Sequence, residues 1–105
     1  MDTNIKIDMS YINLDKIDIL FQKCVTDEEN SFDNLLNECV TQLILNKEHP
    51  IVEIHTNDPP QFKLIQTNTV YDIDELCDLL SEVLIDPVNK MIDEYKEKYI
   101  DTLLN

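Results

Sequence analysis

The sequence predicts a single small α+β domain, with elements in the order β-α-α-β-β-α-α. An antiparallel hairpin and an N-terminal strand are expected to pack with three to four helices. Three features of the sequence carry that expectation: short stretches alternate apolar and polar residues, longer ones repeat apolar residues three and four positions apart, and prolines stand between them. At 105 residues and 43% apolar composition the chain is of one-domain size and rich enough to build a core. No repeat or linker divides it, so 1–105 reads as one acidic domain.

The first strand is expected over Asn4–Ser10, where Ile5, Ile7 and Met9 alternate with Lys6 and Asp8. Asn13 is a good N-cap for a helix that begins Leu14-Asp15 and buries Ile17, Leu20, Phe21, Cys24 and Val25. Polar residues 26–30 break that pattern. Ser31 then caps a second helix, with Phe32, Leu35, Leu36, Cys39, Val40 and Leu43 on its buried face. His49-Pro50 ends it, because the residue before proline is pushed out of the helical region.

Two β-prone runs follow, at 51–56 and 61–67, separated by Asn57-Asp58-Pro59-Pro60. Proline cannot donate a ladder hydrogen bond, so that pair marks the turn of a hairpin. Val52, Ile54, Phe62 and Leu64 are expected to face the core, with the register open by one residue. Asp72 and Glu75 form an acidic variant of the capping box for a third helix, which buries Ile73, Leu76, Cys77, Leu80, Val83 and Leu84. Asp86-Pro87 reads as the start of a fourth helix carrying Val88, Met91, Ile92, Tyr95, Tyr99 and Leu103. One long helix interrupted by Pro87 is the alternative.

Composition then excludes several kinds of chemistry. The chain contains no Gly, Ala, Arg or Trp, while Ile, Asn, Asp and Leu abound, a bias expected of an AT-rich genome. Without Gly there is no loop whose backbone could approach a phosphate closely, so P-loop and dinucleotide sites are excluded. Without Arg there is no bidentate fork for phosphate or carboxylate. The formal charge of −14, from 22 acids against 8 lysines, opposes direct contact with nucleic acid or an anionic membrane. No apolar run approaches the length of a membrane span, and the N-terminus lacks the basic, apolar and small-residue succession of a secretory signal.

Candidate catalytic or metal-ligating residues are few. Cys24, Cys39 and Cys77 share no C-x-x-C spacing, and each falls on the apolar face of an expected helix, where a thiol acts as a small hydrophobe. Reduced thiols imply a reducing compartment, and the cytoplasm is expected. His49 and His55 offer no recognised zinc spacing, and Asp72-Ile73-Asp74-Glu75 lacks the glycine bend of a calcium loop. Acids stand mostly on expected solvent faces, where nothing raises a carboxyl pKa toward neutrality. Neither an enzyme nor a bound cofactor or metal is therefore expected.

What remains is the charge. Acids gather at Asp27, Glu28, Glu29 and Asp33, then at Asp72, Asp74, Glu75, Asp78 and Glu82, and again at Asp86, Asp93, Glu94, Glu97 and Asp101. Such a field costs stability through self-repulsion and steers association with a positively charged protein. Tyrosine is favoured at interface hot spots, which adds Tyr95 and Tyr99 to the candidate protein-binding residues. Size and charge are similar to those of the immunity proteins of nuclease bacteriocins. The paired adjacent tyrosines of that family's binding helix are absent, however, and a β-hairpin does not suit its all-helical fold.

The expected function is a non-enzymatic acidic inhibitor, of phage, viral or immunity type. It would dock on a basic partner such as a nuclease or other nucleic-acid-binding protein, either as a DNA mimic whose carboxylates imitate the spacing of phosphates or by neutralising a basic active cleft. The alternative is a small subunit of a larger complex, held by the apolar face of the C-terminal helix, with a homodimer as one form of that contact.

Overall fold

A reciprocal pair of hydrogen bonds starts the longest element. Asp72 Oδ1 accepts the Glu75 N–H at 2.8 Å, and Glu75 Oε1 accepts the Asp72 N–H at 3.3 Å, which satisfies two of the orphan donors of a helix start. The helix that follows, α3, spans Ile73–Leu104. The computed structural model describes residues 5–26 and 28–104, with side-chain environments up to Lys98. Among these residues, three α-helices and a three-stranded antiparallel sheet form a mixed α+β fold. The other helices are α1, Asp18–Val25, and α2, Ser31–Ile44; the strands are β1, Val52–His55, β2, Gln61–Leu64, and β3, Thr69–Tyr71.

Helix α3 corrects the expectation of two separate helices and follows the alternative, one long helix that contains Pro87. Pro87 lies inside it, although proline removes one backbone hydrogen bond and typically costs about 3 kcal/mol in a helix interior. Continuity is favoured by burial on both sides of the proline. Leu76, Leu80, Leu84, Val88 and Ile92 are all buried and recur every fourth residue without a break. Four residues turn a helix by about 400°, so this stripe winds about 160° around α3 from first to last. The helix packs against α1, α2 and strands β2 and β3. Its 32 residues extend about 48 Å at 1.5 Å per residue. That length draws the molecule out to 53 × 29 × 24 Å, and its 15.3 Å radius of gyration exceeds the ~13 Å of a compact chain this long.

The sheet has β2 at its centre, with Val52 opposite Leu64, Ile54 opposite Phe62, and Phe62 opposite Tyr71 on its other side. Val52, Phe62 and Leu64 are buried as expected. Ile54 shares their face yet is 49% exposed, because it lies on an edge strand near the turn, beyond the cover of the helices. Strand β3 is an addition that three residues of sequence did not announce. A turn brings it back against β2, with Leu64 O accepting from Asn68 N at 2.8 Å and Asn68 in the left-handed region at φ 57°. The second left-handed residue is Asn30, at φ 62°. In a chain without glycine, asparagine takes both positions, since its short polar side chain tolerates that conformation best. Asn30 rather than Ser31 is the N-cap of α2, and Ser31 becomes its first, buried residue.

The N-terminal strand is also corrected. Over its described part the chain forms no strand from Ile5 to Asp8, and a 3-10 turn follows at Met9–Tyr11. Ile5 is buried and Ile7 and Met9 pack against the core, so the alternation reports burial correctly. The backbone is satisfied by a side chain instead of a ladder: Gln66 Oε1 accepts from Lys6 N at 3.0 Å, and Gln66 Nε2 donates to Lys6 O at 3.4 Å. A second 3-10 turn, Leu14–Ile17, leads into α1 and is capped by Asn13, whose side chain accepts from Asp15 N at 3.1 Å. Ile17, Phe21, Leu35, Cys39, Leu43 and the α3 stripe close one hydrophobic core.

Candidate functional site

Each of the three cysteines lies on a helix, Cys24 and Cys39 buried and Cys77 partly so. Cys39 is wholly buried, and desolvation, with the nearby Glu38 charge, pushes its thiol up to about 11. Partial burial raises Cys77 above its ordinary value, and the charges of Asp74 and Asp78 raise it further. Both remain protonated thiols at neutral pH, which are poor nucleophiles. Cys24 is buried as well. His49 stacks on Tyr11 with ring centroids 4.4 Å apart, and His55 Nε2 lies 3.4 Å from Glu53 Oε1. Among the described residues no three His, Cys, Asp or Glu side chains converge to hold a metal ion, and no helix is long and apolar enough to cross a membrane.

The carboxylates are displayed outward. Glu28 and Glu29 are exposed in the connection between α1 and α2, and Asp33 is exposed in the first turn of α2. Asp27 lies outside the described residues. Asp74 and Glu75 occupy the first turn of α3, where the helix dipole favours negative charge, and Glu75 also serves the cap. One turn further is Asp78, also exposed. With Asp74, Glu82 and Asp86 it forms a ladder of exposed carboxylates at every fourth residue. This ladder is offset by two residues from the buried stripe, about 200° around the helix, so it points away from the core. Like charges four apart on a helix repel. Among the described residues Lys6, Lys16, Lys23, Lys47, Lys63, Lys90 and Lys96 form no ion pair with a carboxylate, so little compensates the field.

Not all the predicted residues belong to one patch. Twenty residues separate Asp74 from Glu94, which is about 30 Å along the helix axis. The α1–α2 connection stands at the end of α1 remote from Asp18, about 12 Å away along that helix. Glu94 instead meets two acids that sequence reasoning passed over, Asp15 and Asp18, across a trough between α3 and the chain entering α1. Nothing local announces that meeting, since the partners lie nearly 80 residues apart.

Tyr95 closes one side of this trough. It is half-buried, stacks on Phe21 at 5.4 Å between centroids with planes 17° apart, and donates its hydroxyl hydrogen to Asp18 Oδ1 at 3.1 Å. Gln22 Nε2 donates to the other oxygen of Asp18 at 2.8 Å. The side chain of Tyr99 lies outside the described residues. Met91, half-buried, and Leu14, 51% exposed, leave the trough apolar and open to a volume of about 260 Å³. A second hollow beside Pro87, walled by Ile7 and Met9, shares Met91 and Glu94 with it. Leu14 and Met91 mark a place where the core is incomplete at the surface.

The helices thus hold a broad array of solvated carboxylates, with an apolar trough among them. No family model, curated protein or solved structure matches the chain.

Proposed function

We propose that the chain is a non-enzymatic inhibitor that binds a basic, nucleic-acid-handling protein through its acidic surface. The observation that carries this reading is the ladder Asp74, Asp78, Glu82 and Asp86, exposed along a rigid helix within a chain of charge −14. A sequence that keeps four like charges one turn apart accepts repulsion of about 0.2–0.5 kcal/mol per neighbouring pair. The same charges lower the cost of bringing a cationic cleft close and raise the rate of encounter.

Magnitude decides between two versions of the idea. The ladder places one charge per ~6 Å of helix axis, whereas each strand of duplex DNA carries one per roughly 3.4 Å. It is therefore too sparse to replace a strand phosphate by phosphate. It acts instead as a negative field that fills or blocks a basic groove.

The half-open trough beside Leu14 and Met91 favours a second reading, that of a small subunit held by the C-terminal half of α3. Salt separates the two. Capture of the partner from the cell that makes the protein, at low and at high salt, is expected to give a basic protein whose affinity falls steeply with ionic strength. The fourfold variant D74N/D78N/E82Q/D86N is expected to lose most of that affinity. Affinity indifferent to salt, or retained by the variant, would overturn the charge-driven reading.

A further inference from the structure

We infer that the trough along the C-terminal half of α3 receives a cationic amphipathic helix of the partner, about three turns long. This rests on the charge-driven reading above and names the part of the basic protein that is recognised. Three features of the trough argue for that occupant.

The first is length. Met91 and Glu94 line both hollows, so the two adjoin along α3 from Pro87 to Lys98. Eleven residues of helix span about 17 Å, which matches a three-turn ligand helix with anchors at i, i+3 or i+4, and i+7. The second is the floor. Leu14, Phe21 and Met91 present branched, aromatic and flexible thioether groups to the opening, and methionine adapts to varied apolar anchors.

The third is charge complementarity, and it is lopsided. On the side of α1 the lining charges are Asp15 and Asp18, with no lysine. On the side of α3 they are Asp86 and Glu94 together with Lys90 and Lys98. Among the described residues the side-chain carboxylates of Asp15 and Glu94 accept no hydrogen bond, so they are available to a ligand. A bound helix therefore places its lysines and arginines against the α1 wall and a more neutral flank against α3. A second copy of this chain suits the trough poorly, because it would bring another body of charge −14 against acidic walls.

The test uses the whole isotope-labelled protein and two synthetic peptides of about eleven residues, in the length range of such anchors. One carries leucine at i, i+3, i+4 and i+7 with lysine elsewhere. The other has the same composition, with its leucines spread around all sides of the helix. The amphipathic peptide is expected to bind about tenfold tighter, with amide shifts centred on Leu14, Phe21, Met91 and Tyr95.

Met91→Ser is expected to weaken it about tenfold, the effect of losing one buried apolar anchor. Glu53→Gln, exposed on strand β1 and lining neither hollow, should leave affinity within about twofold. Leu14→Ser, at an exposed position, repeats the test should Met91→Ser disturb the circular dichroism of the fold.

Equal, salt-sensitive binding of both peptides would overturn the trough as a docking site and leave the charge-driven reading standing. Binding of neither peptide, even at low salt, would overturn both. Self-association through Leu14 and Met91 would assign the trough to a second copy and overturn the inference.

Discussion

From Asp74 to Asp86 the solvent side of α3 carries a carboxylate at every fourth residue, whereas beyond Pro87 the same register reads Lys90, Glu94 and Lys98. The buried side runs through both halves without interruption, from Leu76 to Ile92. One helix thus offers two surfaces: an acid ladder toward its start, and an alternating ladder beside a half-open apolar trough toward its end. The first acts over a distance set by the Debye length, roughly 10 Å at 0.1 M salt. The second acts only on contact, through shape and apolar area. The difference teaches that attraction and selectivity need not reside in the same residues, even on one element. In the proposed function the ladder gathers basic proteins, and the trough selects among them.

The largest effect that would break this comparison lies in the packing of the two halves. Leu84→Ala, in the fully buried stripe, is expected to cost about 3 kcal/mol by urea denaturation, within the usual 2–5 for such truncations. Met91→Ala, at a half-buried position on the trough, should cost about 1 kcal/mol or less. Equal costs would mean that the trough is closed core and no opening at all.

Next comes the pH dependence of the buried thiol. Cys39 titrates near 11 in the folded protein against an ordinary value of 9.0, so the unfolded chain loses its proton first as pH rises. Its contribution is complete below pH 9 and declines as pH climbs through 11. Roughly 3 kcal/mol is at stake, at about 1.4 kcal/mol per pH unit. Denaturation of the native chain and of Cys39→Ala in parallel isolates this term: the native chain should lose stability faster across that window.

A smaller effect reads the ladder directly. The variant D78N/E82Q removes every neighbouring like-charge pair among the four carboxylates and should stabilise the fold by about 1 kcal/mol at low salt. The gain should vanish in 1 M salt, where the Debye length is only about 3 Å. Cys77 lies between Asp74 and Asp78 in sequence, so it reports the same field: D74N/D78N should lower its raised pKa part of the way, leaving the larger share caused by burial. The pH dependence of its alkylation rate measures this.

Much of the fold was legible because burial writes itself into periodicity. The face Leu35, Leu36, Cys39, Val40 and Leu43 on α2, the Asp72–Glu75 cap, and the hairpin around Pro59-Pro60 follow from spacing and turn chemistry. Periodicity reports burial and not hydrogen bonding, which is why Ile5, Ile7 and Met9 passed for a strand while Gln66 supplied the backbone partners. At three residues β3 is too short to show a period, and Asn68 before it was the one local clue. Pro87 misled in the opposite direction: proline signals a helix start, yet the apolar stripe on either side outweighed its cost. The exposure of the acids was predictable from their position opposite the apolar face. Their grouping was not, because Asp15, Asp18 and Glu94 meet only through the packing of α1 against α3.

The most direct test of the central claim is the salt dependence of partner affinity for the native chain and for D74N/D78N/E82Q/D86N, measured side by side. A charge-driven inhibitor should show log affinity falling steeply with log salt, and the variant should show a weaker affinity and a shallower slope. Superimposable lines for the two proteins would contradict the account.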